Sequence, residues 1–253
     1  MNRPGLTLAI GVGLALAIGC KGAETKSEVV TRTEAGKATA SPAGTEVARR
    51  DHSLVRLVNA IPASQHLDVG GDDRAVFTDV AYKTVTPYVE LKGDVVKFHL
   101  RHAGADSTLA TNNEMLTDGY RYTLIAMRDK AAGARLVALR DEVVPDSGKA
   151  RIRVINAALG ADDVDVAVQG QKDPLFENVA YGAEAGNKDI VPMTATIEIR
   201  RDKKAGTTIL LKNMRFMAGK AYTMVLTGAK PSEIDVITFD DTVAPIGLAA
   251  GVH

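Results

Sequence analysis

The sequence predicts an all-β protein: two tandem immunoglobulin-like β-sandwich domains behind a signal peptide and a flexible tether. Three observations lead there. The stretch VRLVNAIPASQHLDV, beginning at Val55, is written almost again as IRVINAALGADDVDV, beginning at Ile152. Around both copies lie short β-branched runs separated by Gly, Asp, Asn and Pro, and no stretch keeps a long 3.6-residue amphipathic period. Ahead of them, an apolar run ends at the only cysteine of the chain and gives way at once to polar residues.

The N-terminal run comes first. Arg3 supplies a positive start, and Leu6 to Gly19 is uninterrupted by charge. It is too short to span a bilayer comfortably, which takes about 20 residues, and fits the apolar core of a secretory signal over 1–19. LAIGC, ending at Cys20, resembles the lipobox of bacterial lipoproteins, with Ala17 where Leu is commonest. That resemblance implies that Cys20 carries a diacylglycerol and a fatty acid such as palmitate. Two or three acyl chains anchor stably where one holds only marginally. Lys21 in place of Asp after the cysteine implies the outer membrane. The expected membrane partner is therefore lipid, through the anchor. With Cys20 acylated the body has no thiol, so its domains rest on core packing alone.

Residues 20–50 read as the lipidated cysteine and a flexible tether. After Cys20 the stretch is rich in Ala, Thr, Glu, Lys and Gly, lacks aromatic residues and has Val29 and Val30 as its main branched apolar side chains. Such composition buries too little surface to offset ordering entropy.

The repeat places the domains at 51–147 and 148–253, joined at PDSGKA. FTDVAY at Phe77–Tyr82 returns as FENVAY at Phe176–Tyr181, and DGYRYTLIAM from Asp118 aligns with AGKAYTMVLT from Ala218. A period of about one hundred residues is too long for a solenoid unit and suits a small domain. VKFHLRH and ATIEIRR alternate apolar with polar, as a sheet with one wet face does. Val55, Leu57, Ile152 and Val154 are expected in the cores. Seven or eight strands per half give immunoglobulin-like proportions without the antibody-type disulfide or Trp. The short join predicts abutting domains with a limited polar interface, each half able to fold alone.

These blocks, in the order VRLVNAIPASQHLDV, FTDVAYKTVTPYVEL and LTDGYRYTLIAM, and again IRVINAALGADDVDV, FENVAYG and MAGKAYTMVL, resemble the bacterial domain-of-unknown-function family 4397. The resemblance covers most of 52–246 and implies secreted or lipid-anchored tandem β-rich domains, with no activity attached. Two positions depart from it: Leu159 stands opposite Pro62, and Lys83 opposite Gly182.

Residues kept in both halves are expected to serve the fold: Arg56 and Arg153, Asn59 and Asn156, Asp68 and Asp165, Tyr82 and Tyr181, Gly119 and Gly219, Tyr122 and Tyr222. Ser64, His66 and Asp68 lie too close in sequence to compose a nucleophile, base and orienter, and no G-x-S-x-G elbow is present. His99 and His102 fall on opposite faces of a strand. Asp162, Asp163 and Asp165 are weak calcium candidates, without the full loop pattern of a calcium site. Tyr88 and Tyr120 are a thin basis for a glycan platform, and RRDKK at Arg200–Lys204 reads as a solvated turn. Lys plus Arg equals Asp plus Glu at 31 each, so no basic field calls for nucleic acid. The expected function is a non-catalytic, tethered binding or structural module of the cell envelope, without cofactor, its protein or glycan partner unnamed. The alternatives are an envelope hydrolase and a calcium-dependent adhesion or glycan-binding protein.

Overall fold

The structure, a computed structural model, describes residues 29–32, 51–62, 66–131, 133–141, 144–201, 208–230 and 233–241. The signal run, Cys20 and Ser64 lie outside them.

Among its described residues the first half has eight strands: β2 (Ser53–Asn59), β3 (Leu67–Gly71), β4 (Arg74–Val80), β5 (Val89–Leu91), β6 (Val95–His102), β7 (Thr108–Met115), β8 (Arg121–Arg128) and β9 (Ala134–Arg140). They form two four-stranded sheets, ordered β5-β2-β8-β9 and β4-β3-β6-β7. The second half repeats this with β10 (Ala150–Ala158), β11 (Val164–Val168), β12 (Phe176–Val179), β13 (Glu184–Ile190), β14 (Met193–Arg201), β15 (Thr208–Phe216), β16 (Ala221–Gly228) and β17 (Asp235–Asp241). Its sheets run β13-β10-β16-β17 and β12-β11-β14-β15. In both halves the first strand pairs in parallel with the seventh, β2 with β8 and β10 with β16. The halves therefore share one topology, as the repeat predicts. Strand number and domain size are immunoglobulin-like; the order 4-1-7-8 against 3-2-5-6 differs from that of constant immunoglobulin domains.

Each sandwich has its own core. Val55, Leu57, Phe98, Leu100 and Leu124 fill the first, and Ile152, Val154, Ile197, Ile199 and Met224 the second. A third cluster joins them: Val58, Ala60, Ile125 and Met127 from one half meet Ile155, Ala157, Val225, Ile237 and Phe239 from the other. The β2-β8 sheet thus lies against the β10-β16 sheet, making four layers. This corrects the expectation of a limited, polar interface. The physical reason is visible in the strands. All seven residues of β2 are buried, as are the six central residues of β8, because both faces of the sheet are covered. Outer strand β6 alternates instead.

The same ends of the two sandwiches lie together. Near where β2, β8 and β16 finish, Tyr82 OH lies 3.3 Å from Thr227 Oγ1, and Thr227 Oγ1 donates to Ala60 O at 2.7 Å. Tyr181 OH donates to Arg128 O, and Lys83 pairs with Asp235.

Among the described residues, one strand precedes both halves. β1 (Val29–Arg32) adds in parallel to the outer edge of β15. The expectation of a wholly flexible tether is corrected over these four residues. Their local composition could not disclose an open strand edge offered by residues so far along the chain.

Candidate functional site

The most unusual chemistry in the described residues lies between the halves. Arg56 and Arg153 occupy matching positions on β2 and β10, on the face turned away from each sandwich's own core. Each donates from Nε to the matching Thr of the neighbouring parallel strand, Arg56 to Thr123 Oγ1 and Arg153 to Thr223 Oγ1, both at 2.9 Å. Asp141, just after β9, stands between them with no side-chain exposure. Its carboxylate accepts from Arg153 Nη2 and from Thr123 Oγ1, and Arg56 Nη2 is 3.7 Å away. Tyr88 OH donates to Asp141 Oδ2 at 2.7 Å. The Arg56 guanidinium lies 4.5 Å from the Tyr88 ring centroid and 4.4 Å from that of Phe239. Burial by itself would push the Asp141 carboxyl up, but Arg56 and Arg153, with the hydrogen bonds from Tyr88 and Thr123, hold it below the usual carboxylate range. A buried acid between two arginines is stable only while the set is complete. The arginine side chains are 5% and 4% exposed, so the cluster joins the halves and leaves no room for a substrate.

Other paired residues also have structural work. Asn59 Nδ2 donates to Val80 O and its Oδ1 accepts Ile61 N–H; Asn156 does the same with Val179 O and Ala158 N–H. Tyr122 OH accepts Thr117 N–H at 3.0 Å, and Tyr222 OH accepts Met217 N–H at 2.9 Å. Gly119 and Gly219 take φ of 81° and 78° at the turns before those strands, where a Cβ would be strained. Lys83 and Gly182 share a left-handed φ, 66° and 79°, so the substitution keeps the turn and adds the ion pair to Asp235. Tyr82 and Tyr181, expected to serve the fold, do so by bonding across to the opposite half.

The candidate sites of the sequence separate. Asp68 Oδ1 accepts the N–H of Asp79, and Asp165 Oδ1 that of Asn178, both at 2.8 Å. Asp79 and Asn178 are left-handed residues, φ 57° and 52°, in the matching strands β4 and β12. Asp165 therefore holds an irregular strand, and among the described residues no three His, Cys, Asp or Glu come together as a metal site. Asp162 has φ 48° and offers its carbonyl to Asn156 Nδ2; Asp163 lies beside it in the turn. His66 Nδ1 is 2.6 Å from Asp79 Oδ1, so its carboxylate neighbour is not Asp68. Tyr88 is committed to Asp141, and Tyr120 is 44% exposed with Arg140 over its ring. A groove of about 410 Å³ runs between edge strands β12 and β13, lined by Phe176, Asn178, Val179, Glu184, Asn187 and Lys188 among others; no Ser, Thr, Cys or His lines it.

Sequence reasoning paired Arg56 with Arg153 but missed Asp141 and Tyr88 as their partners. The available signal was an arginine flanked by apolar residues, Arg56 in LVRLV and Arg153 in IRVI. Such a residue needs a buried acid, and Asp141 is the acid that follows β9.

These features define a class: a two-domain protein in which duplicated sandwiches pair through their conserved-in-repeat residues. The chain belongs to the domain-of-unknown-function family DUF4397, whose profile matches residues 53–167 and 157–249. The two matches overlap over 157–167, which the structure places at the end of β10, the turn after it and the start of β11 in the second sandwich. No curated protein matches the sequence. Among solved structures, a suspected cell adhesion protein from Bacteroides uniformis is similar, at 9% identity and a TM-score of 0.25, over 75% of this chain and 97% of that one. At that score it carries no argument about this chain.

Proposed function

We propose that the protein is a non-catalytic binding or structural module of the bacterial cell envelope, held at the outer membrane by a diacylglycerol and a fatty acid on Cys20. The observation that carries this reading is the apolar run from Leu6 that ends in LAIGC and gives way to a polar stretch. Two features of the body support it. Its buried carboxylate Asp141 is closed inside the interface with both arginines. The groove beside β12 has no Ser, Thr, Cys or His in its lining, so it offers no hydroxyl or thiol nucleophile beside an imidazole base. The partner is an envelope protein or glycan met by the tethered body, and the protein needs no cofactor.

Metabolic labelling with a fatty acid, followed by membrane fractionation, tests the anchor. The wild-type chain should take up label and pellet with membranes, and Cys20→Ser should do neither. A Cys20→Ser chain that still labels and pellets sinks the reading.

A further inference from the structure

The path of β1 gives the anchored protein an orientation, on the reading that Cys20 bears the lipid. Val29 lies beside Thr208 and Arg32 beside Leu211. Thr208 opens β15 at the end of the sandwich where β14 finishes at Arg201 and β11 begins at Val164. The chain coming from Cys20 therefore meets the body at that end and runs toward the other, where β2 begins.

The two halves differ in whether this edge can accept a strand. In the first half the equivalent strand, β7, lies against β9, and Asn112 Nδ2 donates across to Leu136 O at 3.2 Å. β15 makes no comparable approach to β17. The open edge takes the β-branched Val29–Arg32 segment, which removes unpaired backbone groups from an exposed strand.

Chain length then sets the distance to lipid. From Cys20 to Val29 the nine-residue step can reach at most about 32 Å. Nine-residue strands such as β14 and β15 add about 30 Å. We propose that β1 clamps the protein upright on the bilayer, with the ends of β10, β12, β14 and β16 toward the headgroups. The contacts of Lys83 with Asp235 and of Tyr181 with Arg128 place the matching end of the first sandwich alongside. Charge does not set this stance, because the near end carries Asp162, Asp163 and Glu233 as well as Arg200, Arg201 and Lys230. In this stance the exposed large apolar side chains Val95, Met115, Tyr120, Val144 and Val191 all sit at the far end, turned away from lipid toward whatever the module meets.

The test uses the full mature chain in vesicles of phosphatidylethanolamine and phosphatidylglycerol that carry nitroxide-headgroup lipid. Cys20 is either acylated in cells or coupled through its thiol to a maleimide lipid. An azide-bearing residue in place of Asp163 or of Lys172 carries the dye, at the near and far ends respectively. Quenching should be several-fold stronger at 163 than at 172. Equal quenching, or stronger quenching at 172, overturns the orientation. Val30→Pro with Thr31→Pro removes the β1 ladder and should bring the two positions to near equality while vesicle attachment persists. If the contrast survives, β1 does not set the stance. Faster amide exchange along β15, with unchanged exchange in β10 and β16, checks that only the added strand was lost. Failure of acylation in cells refutes the anchor alone, because the chemically coupled chain still reports the orientation.

Discussion

Replacing Asp141 by Asn tests how the halves are joined. The change keeps shape and removes the charge that faces Arg56 and Arg153. It also turns an amide N–H toward a former donor, since Arg153 Nη2, Tyr88 OH and Thr123 Oγ1 all point at this carboxylate. Leaving a buried partner uncompensated costs about 3–5 kcal/mol. The lower end applies, because Arg153 keeps Thr223 and lies 3.7 Å from Glu184. A loss of about 3 kcal/mol in a body of this size lowers Tm by about 6–12 °C. Urea unfolding and calorimetry at neutral pH read it. Adding Arg153→Met should recover part of the loss, with a coupling of about 1.5 kcal/mol or more. The folded Asp141 carboxyl lies below its unfolded value, so its contribution is present above about pH 4 and fades as pH falls through the lowered value. The gap between wild type and Asp141→Asn should therefore narrow in acid. A single variant within about 0.5 kcal/mol of wild type, a size usual for surface substitutions, would refute the view that this cluster fastens the halves.

Three further outcomes follow from the packing. Residues 148–253 expressed alone expose Ile155, Val225, Ile237 and Phe239, so light scattering should show a dimer or larger species; a stable monomer with a cooperative melt contradicts the shared core. Tyr122→Phe and Tyr222→Phe each remove the acceptor of one loop N–H and should cost a similar amount, about 1–3 kcal/mol; neutrality of either in urea unfolding would show the pair is not equivalent. Asp189 is held at about 2 by hydrogen bonds from Arg151, helped by the backbone N–H of Asp146 in the join. Its stabilisation is full above about pH 4 and is lost toward pH 2; an NMR titration of Arg151→Gln should return Asp189 toward the ordinary range, and an unmoved value rejects the assignment.

Much of this architecture was legible because duplication supplies its own comparison. The repeat located both sandwiches, and the turn glycines Gly119 and Gly219 and the paired Asn59 and Asn156 read as structural from their recurrence. The interface was legible too, but in a different signal. SLVRLVN and YTLIAM do not alternate, and a strand without alternation is covered on both faces. Reading them simply as strands hid the four-layer stack. Asp141 was hidden for another reason: its role depends on arginines from both halves, and no local pattern relates Asp141 to Arg153. Strand β1 was illegible in principle, since VVTR becomes a strand only because β15, unlike β7, leaves an edge open.

The nine residues between Arg140 and Ala150 have a kinetic meaning as well. Two separate sandwiches with this face would have to find each other by diffusion, and in a dilute compartment they would spend time apart. A short join holds each half in the other's neighbourhood at an effective concentration in the millimolar range. The pair can then open and reclose without losing its partner. It also need not be symmetric. A homodimer must present Tyr88 twice, whereas this chain keeps Tyr88 in one half and Asn187 at the matching place in the other. Fusion frees each copy to drift toward a different task while the arginine pair keeps them registered.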